Sequence, residues 1–184
     1  MITIQQIHKE HYPQGKNVHY KYTSDQYYEV KVEKIGNGWC FSMQEKRFSA
    51  PFVKELEEDI FQPHKDGSEV YIAFFEGKEA AIMVIQEMEW NHTLLIHDLY
   101  VESAFKRLGI GQSLIQFAKQ RAITLGVRSI ILETQTSNYP AIQFYIRNGF
   151  EPVGLNTISY ANHDIQNREV RIEMGYVLKE CDIE

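Results

Sequence analysis

From Ile110 onward the apolar residues fall at Leu114, Phe117, Ala118, Ala122 and Leu125, offsets of 4, 7, 8, 12 and 15. That spacing lines one face of an α-helix, and Gly126 is placed to stop it. A second helix is predicted over 138–150, "NYPAIQFYIRNGF", with Asn138 as N-cap and Asn148-Gly149 as its end. A third is predicted over 49–61, "SAPFVKELEEDIF". There Ser49 can cap, Pro51 fits the first turn, and Phe52, Leu56 and Ile60 recur at spacing four. Its acidic run, Glu55, Glu57, Glu58 and Asp59, reads as a solvated face.

Other stretches are strand-like. "EVYIAFFEGKEAAIMVIQEMEWNHTLLIHDLYV" (69–101) breaks at Glu76-Gly77-Lys78 and at Asn91-His92, turn chemistry between β-prone runs, which predicts an antiparallel meander of three strands. "RSIILET" (128–134) is a continuous apolar strand, so 94–134 reads as strand, helix, strand, a right-handed parallel crossover. Two more strands are expected around "LNTISYA" and "EVRIEMGYVL", and a hairpin around Gly36-Asn37-Gly38. Residues 1–50 are otherwise weakly patterned. From residue 69 the order is β-β-β-α-β-α-β-β, an α+β class with a mixed sheet carrying helices on its faces.

Between the meander and the first helix stands "KRLGIG" (106–111). Glycines at a helix start leave N–H groups open at the positive end of the helix dipole, an anion site to which Lys106 and Arg107 add charge; a plain tight turn is the other use. The stretch lacks the spacing and lysine of a Walker loop. It also lacks the third glycine of a dinucleotide fingerprint, since Leu114 stands there.

Composition narrows the partners. With 184 residues the chain is sized for one domain, 1–184, and its 43% hydrophobic content supports a core. The net charge of −6 argues against bulk nucleic-acid binding and suits a cationic small molecule. No run reaches the ~20 apolar residues of a membrane helix, and the start does not read as a signal peptide. Two cysteines far apart, Cys40 and Cys181, read as free thiols of a cytoplasmic protein. The seven histidines form no metal-ligand spacing: His8 and His11 lack a zincin glutamate, and His97 points away from the Asp98 face. No metal is expected.

"KRLGIG" together with Asn138, Ala141, Phe144, Tyr145, Gly149 and Phe150 resembles the GNAT superfamily of acetyl-CoA-dependent N-acetyltransferases, over a motif-bearing core of about 70–178. Lys106 stands where arginine or glutamine is usual, keeping charge but losing the planar fork. The resemblance implies a mixed, mostly antiparallel sheet with splayed parallel central strands and helices on both faces. It also implies that Lys106, Arg107, Leu108, Gly109, Ile110, Gly111 and Gln112 hold the pyrophosphate of acetyl-CoA. Leu99 and Val101 would offer main chain to the pantetheine arm, which Asn138 would also bond. Dimers are frequent in that family, so a homodimer is an expectation.

Acetyl transfer to an amine needs a base for the amine, a donor for the oxyanion and an acid for the leaving thiolate. Tyr145 is the expected acid. Asp98, an acid between apolar neighbours in a segment similar to the aminoglycoside N-acetyltransferases, is the expected base, with Leu99 N–H as oxyanion donor. Glu133 is its rival, and either acid could bind the ammonium without taking its proton. "SAPFVK", "LETQ" and "SYAN" are similar to the streptothricin acetyltransferase branch. That similarity implies a β-lysine amine as acceptor, a role in antibiotic resistance, and Tyr160, Phe52 and Glu133 on the amine side. A protein N-terminal or lysine acetyltransferase is the alternative, and a non-catalytic acyl-CoA-binding module a further one.

Overall fold

Along the chain run β1 (Ile2–Ile7), β2 (Asn17–Ile35), β3 (Gly38–Asp59), β4 (Glu69–Phe75), β5 (Lys78–Met88), β6 (Thr93–Val101), α1 (Ile110–Leu125), β7 (Ser129–Gln135), α2 (Tyr139–Arg147), β8 (Glu151–Asn156), α3 (Asp164–Asn167) and β9 (Arg171–Val177). The computed structural model describes residues 1–179; Cys181 lies outside them, and Cys40 is a free, half-buried thiol. Seven strands form a mixed sheet in the order β1-β4-β5-β6-β7-β9-β8, and β2 pairs with β3 apart from it. The chain divides into two compact units.

The first unit holds Met1–Tyr20, Leu56–Leu132 and the stretch from Tyr176. Its meander, β4-β5-β6, is antiparallel as expected, and β1 adds to β4 from Ile2↔Phe75 to Ile7↔Val70. One face of α1 is buried through Ile110, Leu114, Ile115, Ala118 and Ala122, and Gly126 ends the helix in a left-handed conformation with its N–H on Ala122 and Ile123. Val70, Ile82 and Val84 pack with Val18 and Ile60 in a second cluster, joined by Tyr20, Phe61 and Tyr100.

The β6–β7 crossover is parallel, running in the first unit from Thr93↔Ser129 to Ile96↔Leu132. The β5–β6 register shifts at the same level: Ile85 opposes Ile96 and Val84 opposes Asp98, which leaves His97 as the extra residue of a bulge. Beyond it β6 keeps β5 as partner, through Val84↔Asp98, Met83↔Leu99 and Ala81↔Val101.

The second unit holds Lys21–Glu55 and Glu133–Gly175. Its α2 buries Ile142 and Tyr145, and Asn138 caps it by accepting the Ala141 N–H at 3.4 Å. β8 and β9 pair antiparallel, and Tyr28 N–H donates to Thr136 O at 3.0 Å, tying β2 to the segment after β7.

Two expected elements are corrected. Residues 49–59 are the end of β3, not a helix, so neither Ser49 nor Pro51 has a helical role. A spacing of four is one helical turn and also two full strand repeats, so Phe52, Leu56 and Ile60 fit both. The half-burial of Phe52 and Lys54 beside exposed Pro51, Val53 and Glu55 is strand alternation. The acidic run is correspondingly split: Glu58 lies 3.8 Å from Lys65, and Asp59 accepts the amides of Lys16 and Phe61, bonds that hold its carboxyl below the usual range. The strand expected at "LNTISYA" lies earlier, over Glu151–Asn156, and it ends there because Asn156 turns the chain by accepting the Ile158 N–H at 3.1 Å.

Candidate active site

The loop after β6 is shaped by its backbone. Arg107 (φ 66°) and Gly109 (φ 82°) are both left-handed, and Gly109 is the N-cap of α1 without a side-chain cap. The first helical bond runs from Ser113 N–H to Gly109 O at 3.0 Å, so the amides of Ile110, Gly111 and Gln112 precede it with no acceptor in their own helix. Lys106, Arg107 and Leu108 are exposed, and Lys106 Nζ lies 5.8 Å from the Tyr100 ring centre. Open amides, a dipole end and two cations suit a polyphosphate such as that of coenzyme A.

In the same unit Asp98 is 9% exposed. Tyr20 Oη donates to its Oδ1 at 2.9 Å, and Lys65 Nζ is 2.7 Å from its Oδ2. Burial, reinforced by the Asp98 charge, pushes the Tyr20 hydroxyl far above its ordinary value, so Tyr20 is a donor at all working pH. Neither partner is legible in the sequence. Tyr20 lies 78 positions away, and Lys65 comes from a 3₁₀ turn at Pro63–Lys65 that carries no motif. His97 leaves Asp98 and bonds Gln86 Oε1 through Nε2 at 2.8 Å.

The second unit gathers Glu133 and Tyr160. Arg171 Nη2 lies 2.7 Å from Glu133 and 3.1 Å from Glu173, while Tyr160 Oη is 3.5 Å from Glu133 Oε1. Burial first and the Glu133 charge second raise the Tyr160 hydroxyl to about 12. Its backbone N–H donates to Asp164 Oδ2 at 2.9 Å, and Asp164 is buried. Phe52 is stacked on Phe48 with centroids 5.1 Å apart and lies near Tyr22. Tyr145 is 7% exposed on the inner face of α2, its ring 5.4 Å from that of Phe144 and 5.8 Å from that of Phe150. The signal that could have flagged Arg171 is its place among alternating acids in "EVRIE".

A strand–helix–strand crossover whose helix starts uncapped between basic flanks is the frame of an anion-binding α+β domain. The model of the Acetyltransferase (GNAT) family matches residues 38–150, more than half of the chain, and the protein belongs to that family of acyltransferases. Streptothricin acetyltransferase of Streptomyces lavendulae is 30% identical over 147 residues, which cover 76% of each chain. Nourseothricin acetyltransferase shares the fold at a TM-score of 0.78 and 23% identity, over 97% of this chain and 99% of that one. A Bacillus anthracis str. Ames protein provisionally named streptothricin acetyltransferase, in complex with acetyl coenzyme A, shares it at 0.73 and 21%, over 97% and 98%. Among the described residues no helix is long and apolar enough to cross a membrane.

Proposed function

We propose that the protein, working as one catalytic domain, transfers acetyl from acetyl-CoA to a primary amine of a cationic small molecule, the β-lysine amino group of streptothricin. Attack is direct, in a ternary complex. Asp98 takes the amine proton, directly or through water, as the nitrogen lone pair forms a bond to the thioester carbon. The N–H of Leu99 donates to the oxyanion, and the C–S bond breaks as Tyr145 gives its proton to the thiolate. Glu133 and Tyr160, with Phe52, receive the cationic acceptor. The residues from Lys106 to Gln112, with Val101 and Asn138, hold acetyl-CoA. The products are an amide and free CoA.

The observation that carries this reading is a buried carboxylate, Asp98, next to a bulge on β6, the strand that leads into an open helix N-terminus. The relationship to streptothricin acetyltransferases supports the acceptor. The test is thiol release from acetyl-CoA with streptothricin, spermidine, an aminoglycoside and a lysine peptide. Selective turnover of streptothricin is expected, falling ~10²–10⁴-fold in Asp98→Asn and in Tyr145→Phe at unchanged affinity for acetyl-CoA. Turnover of the peptide alone would instead assign a protein acetyltransferase.

A further inference from the structure

Lysine is almost never buried unless paired, because its ammonium loses its water. The Lys65 side chain is 5% exposed, and the Asp98 carboxylate it meets is 8% exposed. We propose that Lys65 is the positioning residue for Asp98: its fixed ammonium on Oδ2, with the Tyr20 hydroxyl on Oδ1, holds the carboxylate in one orientation. The inference rests on the reading of Asp98 as the base.

Three observations carry it. Lys65 is fixed at both backbone groups, its N–H on Gln62 O at 2.9 Å and its carbonyl accepting from Ser68 N at 3.0 Å, so the side chain extends from a rigid turn. Tyr20 is held edge-on against Tyr100, centroids 5.2 Å apart, within the Val18 and Ile60 cluster. The two contacts divide the carboxylate, with the phenol on Oδ1 and the ammonium on Oδ2. Glu58 adds negative charge 3.8 Å from Lys65, and Lys106 lies over the Tyr100 ring. His97, whose ring meets that of His64 at 6.2 Å, is held by burial below its ordinary value of 6.5 and is neutral at pH 7.

The consequence is a carboxylate held in one direction from both of its oxygens. Without the Lys65 ammonium the hold on Oδ2 is lost and the carboxylate turns about the Tyr20 contact on Oδ1, so the loss falls on the chemical step and not on cofactor binding.

The experiment compares wild type, Lys65→Met, Lys65→Arg and Tyr20→Phe by kcat and by KM for acetyl-CoA, with thermal melts to show that each variant is folded. kcat is expected to fall about 10²-fold in Lys65→Met at unchanged KM for acetyl-CoA, to fall less in Tyr20→Phe, and to return close to wild type in Lys65→Arg. If Lys65→Met does not fold, Lys65→Gln takes its place. Wild-type kcat in a folded variant without the Lys65 charge overturns the inference. A kcat that falls in that variant while Asp98→Asn stays fully active overturns the base reading instead.

Discussion

Gly109 sits at φ 82°, ψ −2° with nothing within 4 Å of where a Cβ would stand, so a side chain there meets no neighbour and strains only the backbone. Gly109→Ala is expected to cost about 1–2 kcal/mol and to raise KM for acetyl-CoA several-fold, because the loop relaxes toward negative φ and turns its amides away. Thermal melts and steady-state kinetics check both; a variant that loses stability at unchanged KM would remove this turn from the cofactor site. At this scale the sequence was informative where chemistry is local. The glycines, Asn138 as a cap and the isolated acid at Asp98 could be read from their neighbours. Lys65, Tyr20 and Arg171 could not, since each matters only through a partner the fold delivers from far along the chain.

α1 is pinned to β4 by Arg121, which bonds Glu69 in a fork: Nη2 to Oε1 at 2.6 Å and Nε to Oε2 at 2.9 Å, with Tyr71 also donating to the same carboxylate. Burial pushes the Glu69 carboxyl up, but the Arg121 and Tyr71 bonds outweigh it and hold it below its ordinary value of 4.5. A lowered folded-state pKa gives stability that is present above 4.5 and lost as pH falls through the lowered value. Glu69→Gln is therefore expected to be less stable than wild type by about 1 kcal/mol near neutrality, and the gap should close in acid. Denaturant titrations across that range check it, and a gap independent of pH would mean the pair acts through packing alone. The two long helices were legible because periodicity and caps agree, from Ile110 to Gly126 and from Asn138 to Asn148. The β2–β3 pair was legible at its turn, Gly36-Asn37-Gly38, but not along the end of β3, where Phe52 and Leu56, followed by Ile60, keep a spacing of four that is common to strand and helix.

For the molecule as a whole, 25 acidic against 19 basic side chains set a net charge of −6, a field that attracts a polycationic acceptor and repels a polyanionic CoA thioester. At the two candidate acids the charge is only partly compensated, since Lys65 faces Glu58 as well as Asp98, and Arg171 faces Glu173 as well as Glu133. Attraction of the acceptor comes from the exposed surplus of acids, which salt screens, while pairs as buried as Asp98 and Lys65 are screened much less. Raising ionic strength from about 0.01 M to about 0.15 M shortens the screening length from about 30 Å to about 8 Å. Over that range KM for streptothricin is expected to rise several-fold, while KM for acetyl-CoA stays level or falls because its repulsion is screened too. Initial-rate kinetics with each substrate varied in turn separate the two. An acceptor KM that ignores salt would place its recognition in contacts shielded from solvent, such as those of Glu133 and Tyr160, and leave the global charge to solubility.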